Sequence, residues 1–510
     1  MVKKVWNTVE ELHEHALNAV NKPVKDLVKE ETVLKYYHNP KNKGWIGNSI
    51  ESDWFGLPNN SRKEPDFLHL GLELKVTPIK KTKEGWSAKE RLTLNIFDFH
   101  DEYLRNFKNA SFLEKSNQIE LMYYEFIKDI PSPELEIKAA TLFNLRELPE
   151  EDILIIEQDW NIIIDKIKTG KAEELSDSLT KYLGATTKGS KTEKNMTLQP
   201  FSDKKAHRRA FTLKGSYMTM LARQIMSGQY KAVISSPADE KVIKNIQELK
   251  EKTFEEIIID RFNVFVGRSK KDLAKEFGVP IPKKDDKASS ALLAKKMLNL
   301  ESEIQDTEEF KKAGIETKIV TVKSGKHRAA EGFKLQIPEH SYIEPIELVS
   351  ENWEESLLRD YLLSYQFLLI IFEKTPNGTV FKGVKFWRVP LDDLEGDIKK
   401  TWKKTINTYK NGVTLTYKKR KKPTKRNKTY EVGNNLAKIS DKSILHVRPS
   451  ADESCYTNDL RYATQLPAKS NWINKPEDSD LSDFYMTKQA WWFNPDYMYE
   501  QVKDILNISH

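Results

Sequence analysis

Cysteine is almost absent from this chain. Among 510 residues there is one cysteine, Cys455, which excludes an internal disulfide framework and a cysteine-rich zinc site. A chain without disulfides suits a reducing compartment, so we expect a cytoplasmic protein.

Long apolar runs and export signals are also missing. The most apolar run covers residues 367–372, far short of the ~20 residues that a membrane-spanning helix requires. We predict a buried strand there. The first residues lack the apolar segment and the small-residue cleavage site of a secretory signal, so the sequence predicts no export and no membrane partner.

The chain has no large excess of charge of one sign. Lys plus Arg number 83 and Asp plus Glu number 76, which gives a net charge of +7. This balance is compatible with a polyanionic partner but does not require one.

Aromatic residues are plentiful, with 22 Phe, 19 Tyr and 11 Trp, which excludes wholesale disorder. The length exceeds what one hydrophobic core usually serves, so we expect two domains.

Helical and strand-like segments alternate in the first half of the chain and predict an α/β, or mixed α+β, fold. Helices are predicted over residues 8–28, behind the capping-box pair Thr8 and Glu11, and over residues 44–54. Strands are predicted over residues 71–76, 91–97, 119–126 and 138–143. A charged helical stretch near residues 240–256 is interpreted as the connection between domains.

The segment from Asp66 to Lys75 carries the chemistry of a nuclease. In a strand, alternate residues share a face, so Glu73 and Lys75 project together while Leu72 and Leu74 enter the core. Paired carboxylates bind a hard divalent cation, and a nearby ammonium group can polarise the attacking water. A Glu-x-Lys triplet is common, however, and Glu248 to Lys250 repeats it inside a helical stretch. Context separates the first triplet from a solvated face.

The same residues carry a resemblance to a known family. Gly44-Trp45-Ile46-Gly47, Ile50-Glu51, Asp66-Phe67 and Gly71-Leu72-Glu73-Leu74-Lys75 resemble the MutH mismatch-repair nicking enzyme and the type II restriction endonucleases that cut at GATC. Segments at residues 87–95, 209–214, 471–474 and 486–489 resemble the Staphylococcus GATC-cutting type over nearly the full length. The resemblance implies tandem MutH-like domains of the PD-(D/E)xK restriction-endonuclease-like fold.

The family's functional residues can be placed on this sequence. The resemblance implies metal ligands at Glu51, Asp66 and Glu73, Mg²⁺ as the cofactor, a catalytic lysine at Lys75, and a further active-site lysine, Lys115, on the next strand. An ordinary loop lysine is the alternative for Lys115. The implied partner is double-stranded DNA containing GATC, bound by a chain that is monomeric in solution and dimerises on DNA.

Two basic stretches are candidate DNA contacts. The family reads its sequence from a loop and helix that correspond to residues 202–223, where Arg and Lys suit guanine edges and phosphates. His207 and Tyr217 are better suited to packing or phosphate contacts than to reading bases. A second stretch at residues 417–428, with Arg448 beyond it, is interpreted as a phosphate-contacting loop, the alternative being a solvated hairpin tip. The candidate DNA-binding residues are Lys204, Lys205, Arg208, Arg209, Lys214, Tyr217, Lys419, Arg420 and Arg448.

An internal repeat indicates a duplicated domain. Asp66-Phe67 and residues 71–75 recur 243 positions later as Glu309-Phe310 and residues 314–318. Residues 160–170 recur as residues 402–412. The same offset carries Glu51 onto Ala294, so the second copy has lost one acid and is predicted not to cut. The resemblance gives this copy a regulatory role at a second DNA site.

We therefore predict a catalytic domain over residues 1–232, a helical connection over residues 233–280 and a noncatalytic, DNA-binding domain over residues 281–510. The predicted activity is that of a type II restriction endonuclease making double-strand breaks at GATC. A MutH-type nickase and a DNA-binding regulator with an inactive site are the alternatives.

Overall fold

The computed structural model of the chain describes residues 6–39, 44–58, 62–83, 85–189, 195–228, 239–282, 287–338, 340–422 and 429–507. The chain divides into two compact units. The first comprises Met1–Ile258 and Leu300–Ile315, and the second comprises Ile259–Asn299 and Glu316–His510. The domain limits at residues 232 and 280 stay predictions about where each functional domain ends.

Helices and strands alternate along both units. The helices are α1 (Val9–Leu17), α2 (Glu30–His38), α3 (Trp45–Ser49), α4 (Phe99–Glu102), α5 (Ser111–Ser116), α6 (Glu150–Lys168), α7 (Gly215–Met226), α8 (Gln247–Glu251), α9 (Phe254–Asn263), α10 (Lys270–Phe277), α11 (Lys287–Met297), α12 (Glu308–Ala313), α13 (Pro345–Leu348), α14 (Leu357–Ser364), α15 (Leu391–Asp393), α16 (Lys399–Lys410) and α17 (Pro495–Leu506). The strands are β1 (Leu72–Thr82), β2 (Gly85–Ala88), β3 (Leu92–Phe97), β4 (Gln118–Glu125), β5 (Ile137–Asn144), β6 (Leu183–Thr187), β7 (Met196–Gln199), β8 (Ser202–His207), β9 (Arg209–Leu213), β10 (Ile315–Lys323), β11 (Gln366–Thr375), β12 (Gly378–Trp387), β13 (Thr414–Lys419), β14 (Tyr430–Asn434), β15 (Leu445–Pro449), β16 (Ala463–Gln465), β17 (Asn471–Ile473), β18 (Tyr485–Thr487) and β19 (Gln489–Phe493).

The first helix begins as predicted but ends early. The Thr8 side chain accepts a hydrogen bond of 3.1 Å from the Glu11 amide, which satisfies an otherwise free donor at the start of α1. The predicted helix over residues 8–28 is wrong beyond Leu17. Asn21 adopts a left-handed φ of 63°, and Pro23 has no amide hydrogen to donate, so neither residue continues a helix.

A four-stranded sheet in the order β2-β1-β4-β5 forms the centre of the first unit. Strands β1 and β4 are parallel, and the two outer pairings are antiparallel. The strands predicted at residues 71–76, 119–126 and 138–143 are therefore confirmed as β1, β4 and β5. Leu72 and Leu74 are buried in a hydrophobic cluster with Leu12 and Ala16 of α1. Because alternate residues of a strand lie on opposite faces, Glu73 and Lys75 lie on the other face of β1.

A second sheet and a hairpin complete the first unit. The strand predicted at residues 91–97 is confirmed as β3, which joins β9 and β6 in the order β3-β9-β6. The β7-β8 hairpin precedes β9 directly, so the predicted DNA-reading stretch passes from a hairpin through a buried strand into α7.

The second unit contains a sheet in the order β10-β11-β12. Its middle strand β11 contains the apolar residues 367–372, which are almost fully buried, so the predicted buried strand is confirmed. Strands β13, β14 and β17 form another sheet, and the pairs β15-β19 and β16-β18 are two-stranded.

Among the described residues, none of the helices combines the length and apolar character needed to cross a membrane.

The two copies found in the sequence repeat one order of elements. In each copy, a left-handed glycine, Gly71 with φ 62° or Gly314 with φ 65°, leads into the first strand, β1 or β10. A short helix, α5 or α14, then enters a strand that pairs antiparallel with the next one, β4 with β5 and β11 with β12. The common order supports the duplication inferred from the sequence.

Candidate active site

A π-helical turn carries Glu51. The turn covers Ile50–Trp54 and continues α3 without a break, and its Phe55 amide donates to the Ile50 carbonyl at 3.1 Å. Asp53 anchors the turn to α2, because its Oδ2 accepts hydrogen bonds from Thr32 Oγ1 at 2.6 Å and the Lys29 amide at 3.0 Å. Short π-helical insertions occur frequently at functional sites.

Asp66 and Glu73 are locked together through the backbone. The Asp66 amide donates to Glu73 Oε2 at 3.1 Å, and the Leu74 amide donates to Asp66 Oδ2 at 3.1 Å. Gly71, in its left-handed conformation, reverses the chain between them. This reciprocal pairing places the two carboxylates beside each other at the start of β1.

Two lysines flank the Glu73 carboxylate. Lys75 Nζ lies 2.7 Å from Glu73 Oε1, and Lys115 Nζ lies 3.6 Å from the same oxygen. Lys115 also donates to the carbonyls of Arg62 at 2.7 Å and Glu64 at 3.2 Å. The prediction that Lys115 lies on the next strand is wrong, because it belongs to the last turn of α5 and β4 begins at Gln118. From there it tethers the loop that carries Asp66.

The site holds more negative than positive charge. Burial raises the pKa of Glu51 to about 7, and repulsion by Asp66 and Glu73 adds to the effect although Lys75 and Lys115 oppose it. Burial also raises the pKa of Glu73, which is 2% exposed, while Lys75 lowers it. Burial and the excess of carboxylates over ammonium groups therefore both disfavour the ionised form of Glu51.

The described ranges contain no group of three or more His, Cys, Asp or Glu side chains arranged to hold a metal ion. Several of the carboxylate oxygens instead accept hydrogen bonds from the protein itself: Lys75 and the Asp66 amide bind Glu73, and the Leu74 amide binds Asp66. The side chains thus gather at one place but are not closed into a coordination shell.

The predicted DNA contacts of the first unit fall into two groups. Lys204, Lys205 and Arg208 are exposed on or just after β8, and Lys204 Nζ lies 3.3 Å from Glu173. Their ammonium and guanidinium groups are therefore on the surface of the first unit.

Arg209, Lys214 and Tyr217 are buried instead. Arg209 donates to the Ala185 carbonyl at 3.2 Å, and burial lowers its pKa to about 10. Lys214 Nζ donates to the Thr180 carbonyl, and the Tyr217 hydroxyl donates to Asp152 Oδ2 at 2.9 Å. These internal partners hold the three side chains in the fold, so they are removed from the candidate DNA surface.

The basic stretch of the second unit lies on a hairpin. Lys419 and Arg420 are exposed at the end of β13, which pairs antiparallel with β14, and Arg420 lies 3.3 Å from Glu431. Residues 423–428 of the stretch lie outside the described residues. Arg448, on β15, stacks its guanidinium 4.5 Å from the centre of the Trp492 ring.

The second copy keeps one acid–lysine pair and loses the rest. Lys318 Nζ lies 2.8 Å from Glu316 Oε2, and the Tyr361 hydroxyl donates to Glu316 Oε1 at 2.8 Å. Glu309 accepts the amides of Val242 at 3.0 Å and Ile243 at 2.9 Å. Ala294, onto which the 243-residue offset carries Glu51, is fully buried.

Sequence reasoning missed one further loss. Lys115-Ser116-Asn117-Gln118 enters β4, and Leu363-Ser364-Tyr365-Gln366 enters β11. The second copy therefore has a leucine where the first has its second lysine. The Ser-x-Gln pattern that the two segments share is the signal that could have revealed this change. It was missed because the offset between these two segments differs from the 243 residues that separate the other repeated motifs. The role of Asp53 had no sequence signal at all.

Comparison with known proteins identifies relatives of the whole chain and of its first part. The family model for the DNA mismatch repair enzyme MutH matches residues 55–159. The type II restriction enzyme Sau3AI of Staphylococcus aureus is 36% identical and covers 98% of this chain and 99% of its own. The DNA mismatch repair protein MutH of Shewanella woodyi is 25% identical over 33% of this chain and 70% of its own, and that of Shewanella amazonensis is 32% identical over 27% and 58%.

The predicted mixed α+β class is confirmed, with a MutH-like domain in the first copy. The matched segment contains Asp66, Glu73, Lys75 and Lys115. MutH relatives match about a third of the chain, whereas the restriction enzyme matches both copies. The chain is therefore a site-specific deoxyribonuclease that belongs to the family of type II restriction endonucleases represented by Sau3AI.

Proposed function

We propose that the first copy makes Mg²⁺-dependent double-strand breaks at 5′-GATC. The observation that carries this proposal is the convergence of Glu51, Asp66 and Glu73 with Lys75 at one end of β1. GATC as the target rests on the family resemblance of the sequence motifs, which extend across both copies.

The donor set fits a divalent cation. Restriction endonucleases of this kind generally need a divalent metal, and the three carboxylates offer the oxygen ligands that a hard ion such as Mg²⁺ prefers. Burial, together with repulsion by Asp66 and Glu73, raises the pKa of Glu51 to about 7, and a bound cation would favour the ionised carboxylate. Glu51, Asp66 and Glu73 would hold the ion, which when bound would polarise the phosphoryl oxygen and lower the pKa of a water.

The chain's own groups complete the chemistry. Lys75, held 2.7 Å from Glu73, is placed to orient or polarise the water that attacks the phosphorus. Lys115 is a positioning residue that fixes the 62–66 loop through two carbonyls. Lys204, Lys205 and Arg208 are the exposed cations of the first unit that we assign to DNA, with Arg208 suited to the paired acceptors of a guanine.

The second copy is proposed to bind a further DNA site and to regulate cleavage without cutting. It has Ala294 in place of Glu51 and Leu363 in place of Lys115, and its Glu316 is hydrogen-bonded by Tyr361. Catalytic groups must be placed accurately, because a misplacement of about 1 Å can cost 10²-fold in rate. A site that lacks some of these groups altogether is therefore not expected to hydrolyse DNA. A second site raises the local concentration of DNA and favours assembly of two chains on it.

Digestion of plasmids with one and two GATC sites, in Mg²⁺ and in EDTA, tests the proposal. Linear product that appears only with the metal, and faster on two sites, is the expected result. A plasmid that remains nicked would indicate a MutH-type nickase. Binding without any cleavage would indicate a DNA-binding regulator. A plasmid without GATC is the matched control and should stay supercoiled.

A further inference from the structure

A group of cations in the second unit outnumbers its acidic partners. We name it the basic cluster and define it as Lys318, Lys334, Lys488 and Arg448. Lys318 is paired with Glu316 at 2.8 Å. In the part of the chain that the structure describes, no carboxylate is in ion-pair contact with the other three.

Two aromatic rings bring Lys334, Lys488 and Arg448 together, and Lys318 is close enough to Lys334 to lower its pKa. Lys334 Nζ lies 4.5 Å and Lys488 Nζ lies 5.0 Å from the centre of the Tyr342 ring. Lys334 is also bridged through its backbone to Trp492, whose ring supports Arg448 at 4.5 Å. Cation–π contacts of this kind hold an ammonium or guanidinium group in place without neutralising its charge.

The cluster carries a net positive charge that the fold leaves in place. Burial lowers the pKa of Lys334, and repulsion by Lys318 lowers it further. Lys488 is near Asp459, but that carboxylate is already paired with Arg461 at 2.7 Å. The nearby buried Trp492 Nε1 has no hydrogen-bond acceptor among the described residues. The four cations therefore have two carboxylates near them, Glu316 and Asp459, and each of these is already paired with a cation.

The contrast with the first copy indicates the ligand. There, an excess of carboxylates around Glu73 suits a cation, whereas here the excess of cations over carboxylates in the basic cluster suits an anion. Lysine ammonium groups bind phosphate as point charges, and each neutralised phosphate of duplex DNA releases counterions. The retained strand β10 thus places a phosphate-attracting group where the first copy has its catalytic lysine.

We infer that the basic cluster is a phosphate-binding site through which the second copy holds the backbone of duplex DNA without cutting it. This inference rests on the proposed DNA-binding function of that copy and names the residues that perform it. Only Arg448 was a candidate from the sequence. Lys488 lies in the family-like segment at residues 486–489 but was assigned no role there, and Lys334 lies outside every motif, so folding brings both to the cluster.

The test uses the full chain carrying Glu73→Ala, to prevent cutting, and a short duplex with one GATC site as the probe. The parent should bind two duplexes per chain. Adding Lys334→Ala and Lys488→Ala should leave one, and the slope of log affinity against log salt should fall by about 1.8, or about 0.9 for each lost phosphate contact.

Matched variants separate charge at this place from charge in general. Lys400 and Lys403 are exposed on α16, so Lys400→Ala with Lys403→Ala removes the same charge from the same unit and should still bind two duplexes. Lys334→Arg with Lys488→Arg keeps the charge and should also bind two. Loss of the second duplex in the arginine pair would overturn the inference, since it would reflect damage to the fold rather than lost phosphate contacts.

The outcomes distinguish the two levels of the proposal. A parent that binds a single duplex would refute the proposed role of the second copy and the basic cluster with it. A parent that binds two, together with an alanine pair that also binds two at the parental salt slope, would refute the basic cluster alone.

Discussion

Replacement of Glu51 by glutamine should stabilise the metal-free protein while removing its activity. The Glu51 carboxyl has a pKa of about 7 in the folded chain, against 4.5 as the ordinary value. An acid whose folded pKa is raised destabilises the folded state once it must ionise, so stability is lost as pH rises from 4.5 to about 7. Glutamine has the same shape and no charge to ionise.

The magnitude follows from the difference between the two pKa values. Above pH 7, where Glu51 is ionised in both the folded and the unfolded chain, this difference in pKa corresponds to ~3 kcal/mol of unfolding free energy. The side chain is only about half buried, so screening by solvent reduces this to ~1–2 kcal/mol. For a unit of this size the gain should raise the melting temperature by about 2–8 °C at pH 8, and the gain should shrink toward pH 5.

Asp53, in the same π-helical turn, is the matched control. Burial raises its pKa, but hydrogen bonds from Thr32 and Lys29 lower it more, so the net shift is downward. Ionised Asp53 therefore stabilises the fold above its ordinary pKa of 3.8, and this stability is lost as pH falls through the folded value. Asp53→Asn should lower stability at pH 8 by about 1 kcal/mol.

Thermal unfolding followed by circular dichroism at pH 5 and pH 8, in EDTA, measures both variants. The two substitutions remove one negative charge each from neighbouring positions, yet they should shift the melting temperature in opposite directions. A Glu51→Gln protein that melts below the parent at pH 8 would refute the reasoning, because it would mean that Glu51 is not held against its neighbours' charge.

Three further predictions concern the metal, Lys115 and the DNA surface. Mg²⁺ affinity, measured by calorimetry, should rise about tenfold per pH unit below pH 7, because binding displaces the Glu51 proton, and Glu51→Gln should abolish this slope. Lys115→Ala should slow single-turnover cleavage by about 10²-fold with little change in DNA affinity, because the loop carrying Asp66 loses its tether; unchanged cleavage would contradict that role. Lys205→Ala with Arg208→Ala should reduce the salt slope of DNA binding by about 1.8, and an unchanged slope would remove both residues from the interface.

The strand that carries the site could be predicted because its signal is local. Alternation of Leu72 and Leu74 with Glu73 and Lys75 fixes which side chains share a face, and burial against α1 confirms the choice. Glu51 lies far from this strand in sequence, so only the family resemblance pointed to it. The π-helical turn that presents it depends on hydrogen bonds between residues five apart, for which composition gives no signal.

Charge was the least reliable guide to the surface. Arg209 and Lys214 are cationic residues in a basic stretch of the sequence, and both were predicted to contact DNA. Both are buried, and a backbone carbonyl, of Ala185 or Thr180, accepts a hydrogen bond from each, as is usual for buried polar groups. Those acceptors come from other strands and loops, so no local pattern reveals them.

The assignment of cleavage to the first copy alone is tested most directly by one paired measurement. Glu73→Ala and Glu316→Ala remove equivalent carboxylates from β1 and β10, and single-turnover cleavage of a GATC duplex in Mg²⁺ compares them. Glu73→Ala should abolish cleavage while the duplex still binds, and Glu316→Ala should cut at close to the parental rate. Full activity in Glu73→Ala, or a dead Glu316→Ala protein that still folds and binds, would contradict the account.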